Sequence, residues 1–308
     1  MRIITYCSIS LIIFFASCQK EIELEYPTPD PKLVVNCLFS PDSLFKVRVG
    51  KILAFNDTVS SFSVENAQCE IYENGVFAEK LEYQGDGYYF SKILTPKSGN
   101  NYKLIVSAEG FPVVDAIDTV PYPVSVENAY FEHNTLYDAL DESYFHTVNV
   151  IFDDNPDLKN YYQLKLVCER TYDDSTINKV HLILEKTNDL TLLNTGLIEY
   201  QPSSIPFSDK LLNGQNYFLT TYYTLPFAIS NGIDVFYDTH NLIVHFNSVS
   251  DQFYQYSRKM IMHLRNQESD IFEGIGDPVA MYSNIQNGYG IFAAYCPHTD
   301  TLHHELIW

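Results

Sequence analysis

Short segments in which every second residue is apolar recur along this chain, and this period of two constrains the fold more than any other feature. It is clearest at residues 33–39, 45–49 and 67–71. Because side chains of a β-strand point alternately to its two faces, the pattern predicts strands with one buried face. Turn sequences such as Glu73-Asn74-Gly75 separate the segments. Roughly seven short strands in about 90 residues predict an immunoglobulin- or fibronectin-like β-sandwich over residues 32–121.

The sequence Pro121-Tyr122-Pro123 interrupts this pattern. Proline restricts its own backbone and that of the preceding residue, so we place a domain boundary between residues 121 and 122. Alternating segments then return with longer connections, at residues 148–152, 162–168, 180–185, 217–224 and 242–246. They predict a second β-sandwich over residues 122–308.

One helix is predicted within this second half, at about residues 251–267. Apolar residues recur there at helical spacing, at Phe253, Tyr256, Met260, Ile261 and Leu264. Ser250 precedes them and is suited to cap the helix N-terminus. The predicted fold class is therefore all-β, with two β-sandwich domains and one amphipathic helix near the C-terminus.

The first 18 residues have the pattern of a signal peptide. Arg2 precedes a mostly apolar stretch at residues 3–15, which is too short to span a bilayer. Small residues then lead to Cys18, and this arrangement resembles the bacterial lipoprotein box. We expect residues 1–17 to be removed and Cys18 to carry a lipid anchor. The alternative is an ordinary cleaved signal followed by an incidental cysteine.

Residues 18–31 form a charged tether that ends in three closely spaced prolines, Pro27, Pro29 and Pro31. Its acidic start, at residues 21–25, resembles the signals that sort lipoproteins of Bacteroidota to the outer face of the outer membrane. The predicted localisation is therefore the outer membrane, lipid-anchored and exposed at the cell surface. A plain solvated spacer and a periplasm-facing anchor are the alternatives.

The composition limits the classes of partner. The formal net charge is −20, and no run of lysine or arginine appears that would bind phosphates, so we expect no nucleic-acid partner. Four cysteines follow Cys18 without any C-x-x-C pair, at Cys37, Cys69, Cys168 and Cys296. Their spacing excludes a zinc knuckle. Cys37 and Cys69 both lie on apolar strand faces. The two alternatives for them are a disulfide bond between them and two buried free thiols.

Several phrases of the sequence together resemble a known family. They are residues 31–36 (PKLVVN), 71–75 (IYENG), 119–121 (TVP), 277–279 (DPV) and 282–292 (YSNIQNGYGIF). With the lipoprotein signal, they resemble the Bacteroidota lipoproteins grouped as domain-of-unknown-function 4249. The resemblance covers essentially the whole mature chain and implies no catalytic residues. It implies a genetic context beside TonB-dependent outer-membrane receptors.

The segment 282–292 also has a physical interpretation of its own. Asn287-Gly288 and Gly290 lie between apolar residues, which is typical of a tight turn where the backbone approaches another element closely. Asn284 is placed to hydrogen-bond that turn. A ligand-binding loop is the alternative.

Two groups of residues have the chemistry of metal ligands. Asp153, Asn155 and Asp157 set oxygens at alternate positions, as at the start of a calcium loop, although Leu158 and Leu164 replace the glycine and carboxylate that an EF-hand requires. The alternative is a loop whose side chains cap a turn. A second group lies near the C-terminus and comprises His298, His303, His304 and Glu305. The alternative for this group is a plain surface tail.

No motif of an enzyme is present. The sequence lacks a G-x-S-x-G elbow, a phosphate-binding loop and a dinucleotide fingerprint, so we predict neither enzymatic activity nor a cofactor. The leading hypothesis is an outer-membrane surface lipoprotein that binds a ligand for, or is an accessory of, a TonB-dependent nutrient-uptake system. The alternative is an adhesion or envelope-structural β-domain protein without a transport role.

Overall fold

The computed structural model describes residues 30–53, 62–139, 143–171, 177–224, 228–230, 233–235, 239–268 and 279–305. Residues 31–52 and 61–308 belong to one compact unit. The predicted signal peptide, Cys18 and most of the tether lie outside the described residues. Among the described residues, no helix combines the length and the apolar character that crossing a membrane requires.

Strands dominate the structure. The first eight are β1 (Leu33–Phe39), β2 (Lys46–Lys51), β3 (Gln68–Glu73), β4 (Val76–Lys80), β5 (Glu82–Gly85), β6 (Tyr88–Phe90), β7 (Asn101–Ser107) and β8 (Val114–Thr119). The next six are β9 (Ser125–Asp138), β10 (Ser143–Asp153), β11 (Tyr161–Thr171), β12 (Ile177–His181), β13 (Ser204–Ser208) and β14 (Asn216–Tyr223). The last five are β15 (Ala228–Ser230), β16 (Ile233–Val235), β17 (Thr239–Val249), β18 (Tyr289–Cys296) and β19 (Thr299–Glu305).

Helical structure is limited. A long helix spans Asp251–Glu268, a one-turn helix spans Leu190–Leu193, and 3-10 turns span Ile198–Tyr200 and Asp209–Leu211. The long helix confirms the predicted one. Ser250 caps it as expected, because its Oγ accepts a hydrogen bond of 3.1 Å from the Phe253 backbone N–H. The one-turn helix, capped by Asp189, was not predicted.

The strands form a sandwich-like arrangement of sheets, so the all-β fold class is confirmed. The largest sheet has ten strands; its path runs β12-β11-β17-β18-β1-β2-β6-β5, with β13 paired to β11 and β19 to β17. A four-stranded sheet has the order β4-β3-β7-β8 and a three-stranded sheet the order β14-β10-β9, while β15 and β16 form a separate pair. Strands β1 and β18 pair in parallel, and the other pairs are antiparallel.

Two apolar cores hold the sheets together. The first lies between the β18-β1-β2-β6 part of the large sheet and the four-stranded sheet; Val35, Val47 and Ile71 contribute to it and are fully buried. The second lies between the β11-β17 part and the three-stranded sheet, with Val150, Leu164 and Phe246 at its centre. The alternation seen in the sequence selects these residues, because each faces inward while its chain neighbours face outward.

A third cluster covers the opposite face of the large sheet. Phe253 of the long helix meets Ile291 and Ala293 of β18, together with Tyr161 and Val249. Strand β18 is therefore buried on both faces, since Phe292 and Ala294 of the same strand belong to the first core. A strand with two buried faces is uniformly apolar rather than alternating, as residues 291–294 are.

The predicted domain boundary at residues 121 and 122 lies where the two cores meet along the chain. Val120 is buried in the first core, and Val124 packs against the second. The chain then returns, because Ile285, Phe292 and Ala294, which the prediction assigned to the second domain, lie in the first core. The division into domains 32–121 and 122–308 stays a prediction, but the two halves share one sheet.

The segment 282–292 forms the close backbone approach that its glycines predicted. Asn284 hydrogen-bonds Phe292 on both sides: its Oδ1 accepts from the backbone N–H at 2.9 Å, and its Nδ2 donates to the carbonyl at 2.7 Å. Gly290 has a φ of +112°, and a Cβ there would overlap the Val35 carbonyl. The parallel pairing of β18 with β1 therefore requires glycine at position 290.

Gly290→Ala is expected to destabilise the protein much more than Gly75→Ala. Gly75 also has a positive φ, +82°, but a Cβ at that position meets nothing within 4 Å. Gly75→Ala is the control, and its free energy of unfolding should fall only by the left-handed backbone penalty of about 1–2 kcal/mol. Gly290→Ala adds a steric overlap, so its free energy of unfolding should fall by more than about 4 kcal/mol. Chemical denaturation measures both; equal losses would contradict the proposed backbone approach.

A buried carboxylate joins the first sandwich to the helix and to β18. Asp118 is the penultimate residue of β8 and is 8% exposed. It accepts hydrogen bonds from the backbone N–H of Ala294 at 2.7 Å and from that of Thr119 at 2.9 Å, and it is hydrogen-bonded to Ser250. Burial away from water outweighs these bonds and raises the pKa of Asp118 to about 6.

This raised pKa predicts that stability falls as pH rises from about 4 to 6. The unfolded chain releases the Asp118 proton near pH 3.8, whereas the folded chain keeps it until about pH 6. Protonation therefore favours the folded state by on the order of 3 kcal/mol at low pH, and this contribution is lost across that window. Asp118→Asn should flatten the dependence in this window.

The matched control is Asp115→Asn on the same strand, where the carboxylate is more exposed and pairs with Lys103 at 3.1 Å. Urea denaturation at several pH values measures the free energy of unfolding for each variant. If the free energy of unfolding of Asp118→Asn changed with pH between 4 and 6 as steeply as that of the wild type, Asp118 would not be the source of the pH dependence.

Candidate binding face on the first sandwich

The outer face of the β1-β2-β6 region carries cations beside aromatic rings. On β2, Val47 and Val49 point into the core, so Lys46 and Arg48 point outward. Antiparallel register sets Lys46 opposite Phe90 and Arg48 opposite Tyr88 on β6. Directly opposed residues lie on the same face of a sheet. The two cations and the two rings therefore form one patch.

The cations lie over the rings. Lys46 Nζ is 4.5 Å from the Tyr88 ring centroid and 5.3 Å from that of Phe90. Arg48 lies between two rings, with its Cζ 4.5 Å from the Phe62 centroid and 5.3 Å from the Tyr88 centroid. Such cation–π contacts contribute about 0.5–1 kcal/mol each at exposed sites. They restrict the side chains before any ligand arrives.

Gly50 makes room for this arrangement. A Cβ at position 50 would lie 3.1 Å from Cδ2 of Phe62 and 3.2 Å from its carbonyl oxygen. The close approach lets Phe62, which is 43% exposed, lie beside Arg48 two positions earlier on β2. Gly50 is thus the third outward position of β2 after Lys46 and Arg48, and its lack of a side chain leaves the space that Phe62 occupies.

Neither cation has a neutralising partner among the described residues. Within the described part of the chain, no carboxylate lies within 4 Å of Lys46 or Arg48. The Nε of Arg48 is buried and has no hydrogen-bond partner there either. The acid in register with Phe90, Glu82, is paired instead with Lys92 at 2.6 Å. In a chain with a net charge of −20, two uncompensated cations side by side are a local exception.

Further exposed groups extend the patch across β1. Leu38 is 46% exposed, and Tyr289 is 48% exposed with Lys32 Nζ 5.2 Å from its ring centroid. We define the binding face as these residues with the central four and Phe62: Lys32, Leu38, Lys46, Arg48, Phe62, Tyr88, Phe90 and Tyr289. A guanidinium held flat offers paired N–H donors to a carboxylate, sulfate or phosphate, and the rings offer stacking area.

The proposed calcium residues hold a loop together. Asp153 Oδ1 accepts a hydrogen bond from Asn216 Nδ2 at 2.8 Å, and Asn155 Oδ1 accepts one from the Asp157 backbone N–H at 3.0 Å. The second contact is the turn-capping role that was the alternative to calcium. No group of three or more histidine, cysteine, aspartate or glutamate side chains with metal-binding geometry occurs among the described residues.

The acid that organises this loop, Asp154, was missed by sequence reasoning. It is buried and accepts hydrogen bonds from the Tyr162 hydroxyl at 2.6 Å and the Gly214 backbone N–H at 2.7 Å. Its Oδ1 also accepts from Asn160 Nδ2 at 3.2 Å. One of these partners, Gly214, lies 60 positions along the chain, so the local sequence contains no signal for that contact.

The four cysteines after residue 18 are not joined by disulfides. Cys37, Cys69, Cys168 and Cys296 are all buried thiols, which settles the open choice at Cys37 and Cys69 against a disulfide. Burial raises the pKa of Cys69 to about 12 and that of Cys37 further. Thiols held in this neutral form are poor nucleophiles and poor metal ligands.

Two of the C-terminal histidines, His298 and His303, make separate contacts, and the side chains of His304 and Glu305 lie outside the described residues. His298 Nε2 lies 2.9 Å from Asp300, while His303 Nδ1 lies 2.7 Å from Asn241 on β17. The structure instead brings together His133 and His146, which are 13 positions apart in the chain and which sequence reasoning did not select.

Comparison with known proteins agrees with the resemblance seen in the sequence. A family model described as "Domain of unknown function (DUF4249)" matches residues 19–301. A search of curated proteins finds no match. The matched region contains both sandwich cores, the binding face and the segment 282–292, and the chain belongs to the DUF4249 family.

Proposed function

We propose that this protein is a surface lipoprotein of Bacteroidota that is anchored in the outer membrane through Cys18 and has no enzymatic activity. It captures a ligand for, or is an accessory component of, a TonB-dependent nutrient-uptake system. The binding face of the first sandwich contacts the ligand, and the ligand carries carboxylate, sulfate or phosphate groups.

The observation that carries the ligand class is the pair of cations at Lys46 and Arg48. An acidic protein repels anions over most of its surface, so an anionic ligand needs a local site where cations are not already compensated. Lys46 and Arg48 are such a site, and rings already hold both side chains. Preorganised donors lose little conformational entropy when a ligand binds.

The anchor and the partner rest on different support. The signal-like residues 1–17, the small residues before Cys18 and the acidic tether favour export and lipidation. The chain belongs to the DUF4249 family. Lipoproteins of this family tend to be encoded beside TonB-dependent receptors, and this context supports a role in uptake. In this proposal the TonB-dependent receptor carries out the transport step.

Replacing Cys18 tests the anchor and the partner together. The full chain, expressed in a Bacteroidota host, should fractionate with outer membranes and bring down a TonB-dependent receptor in mild detergent. Cys18→Ser should release the protein to the soluble fraction, because acyl chains supply roughly 0.8 kcal/mol per buried methylene. Mass spectrometry of both preparations identifies the lipid and the receptor. A Cys18→Ser protein that stays membrane-bound would refute the anchor, and wild type without any receptor would refute the uptake role.

A charge-neutral double variant tests the binding face. The full chain should bind immobilised dextran sulfate and not neutral dextran. Lys46→Gln with Arg48→Gln should weaken that binding at least about tenfold, since a charge-assisted hydrogen bond contributes about 1.5–3 kcal/mol. Biolayer interferometry at fixed ionic strength measures the affinities.

The matched control removes the same charge elsewhere. Lys103 pairs with Asp115 at 3.1 Å and Lys179 with Glu169 at 2.8 Å, so their double glutamine variant loses two compensated cations. It should bind dextran sulfate as the wild type does. Equal weakening in both variants would show that net charge, rather than the binding face, governs retention.

A further inference from the structure

A wide bulge in the β9–β10 hairpin sets two histidines side by side. Glu132 pairs with Thr147 and Leu136 with Phe145, so three residues of β9 oppose the single residue His146. Asn134, in the middle of the three, has a φ of +48°. A left-handed non-glycine residue within a bulge re-aims neighbouring side chains and is frequent near binding sites.

The bulge aims His133 at His146. Their Nδ1 atoms are 3.3 Å apart, with the rings nearly perpendicular at 87° and their centroids 5.3 Å apart. Aromatic neighbours flank both rings: the Phe131 centroid is 4.9 Å from that of His133, and the Tyr223 centroid is 5.3 Å from that of His146. His133 is exposed, whereas His146 is only 9% exposed. The pair thus lies between the second core and the solvent.

We propose that His133 and His146 bind Zn²⁺ through their Nδ1 atoms, with the remaining coordination positions open to water or to an external ligand. A zinc ion with N ligands at about 2.0–2.1 Å in tetrahedral geometry has an N–N edge of about 3.3–3.4 Å. The observed Nδ1–Nδ1 separation is 3.3 Å. A square-planar Cu²⁺ ion would need adjacent nitrogens only about 2.8 Å apart, so the observed separation fits a tetrahedral ion such as zinc better.

A direct hydrogen bond between the rings explains the geometry less well. It would require one Nδ1–H to donate into the other lone pair at 3.3 Å, beyond the usual range of about 2.7–3.2 Å. The backbone N–H of Asn134 already approaches His146 Nδ1, at a long 3.4 Å.

The site differs from a structural zinc centre. The described residues supply no third histidine, cysteine or carboxylate to the pair. The positions that the described residues leave to the metal are chemically suited to an external ligand with its own oxygen or nitrogen donors, since zinc keeps such positions where it binds small molecules. This inference is independent of the binding face, which lies on the first sandwich.

The test is calorimetric titration of zinc chloride into the full chain in mild detergent at pH 7.5. The wild type should bind one zinc ion per chain at this site. His133→Gln should abolish it, and because that side chain is exposed the variant should keep the wild-type melting temperature without zinc. His146→Gln should abolish it as well. Zinc should raise the melting temperature of the wild type and of neither variant.

His298→Gln is the matched control, since His298 is a histidine of the C-terminal group with its own contact to Asp300 at 2.9 Å. It should retain the site with unchanged affinity. The proposal is overturned if the wild type binds no zinc, if His133→Gln binds it as the wild type does, or if the binding is lost in His298→Gln.

Discussion

Strand β18 is the element on which the rest of the structure depends, because both of its faces are buried. Phe292 and Ala294 close the first core, while Ile291 and Ala293 receive the long helix. Its parallel pairing with β1 joins segments more than 250 residues apart. Such a pairing must overcome a large loop-closure entropy before its contacts form. The double burial supplies that stabilisation, and the first sandwich is complete only when the C-terminal part of the chain has folded.

The polar junction around β18 complements this apolar burial. Asp118, Ser250 and the backbone of Ala294 meet where the first sandwich, the helix N-terminus and the strand converge. A buried carboxylate with several donors fixes relative position, since partial loss of its partners is costly. Apolar contacts alone would tolerate sliding of the helix along the sheet; the hydrogen bonds at Asp118 and Ser250 favour one register.

The two proposed sites rest on outward-facing strand residues. The binding face on β1, β2 and β6 and the histidine pair on β9 and β10 both arise where register sets two strands beside each other. Lys46 and Arg48 are ordinary outward positions of an alternating strand. They become a patch only because Tyr88, Phe90 and Phe62 come to lie beside them. The acidic remainder of the protein then makes that patch electrostatically distinct.

The sequence by itself determined the local elements: the alternating strands, the helix with its Ser250 cap, the Asn74-Gly75 hairpin and the glycine-dependent approach at residues 282–292. These follow from backbone geometry and side-chain period, which neighbouring residues decide. Only the tertiary structure decided that residues 285–294 complete the first core, that Asp154 organises a loop and that His133 meets His146. These depend on strand register and on a bulge, which are set by packing between distant segments and leave no mark in a local sequence pattern.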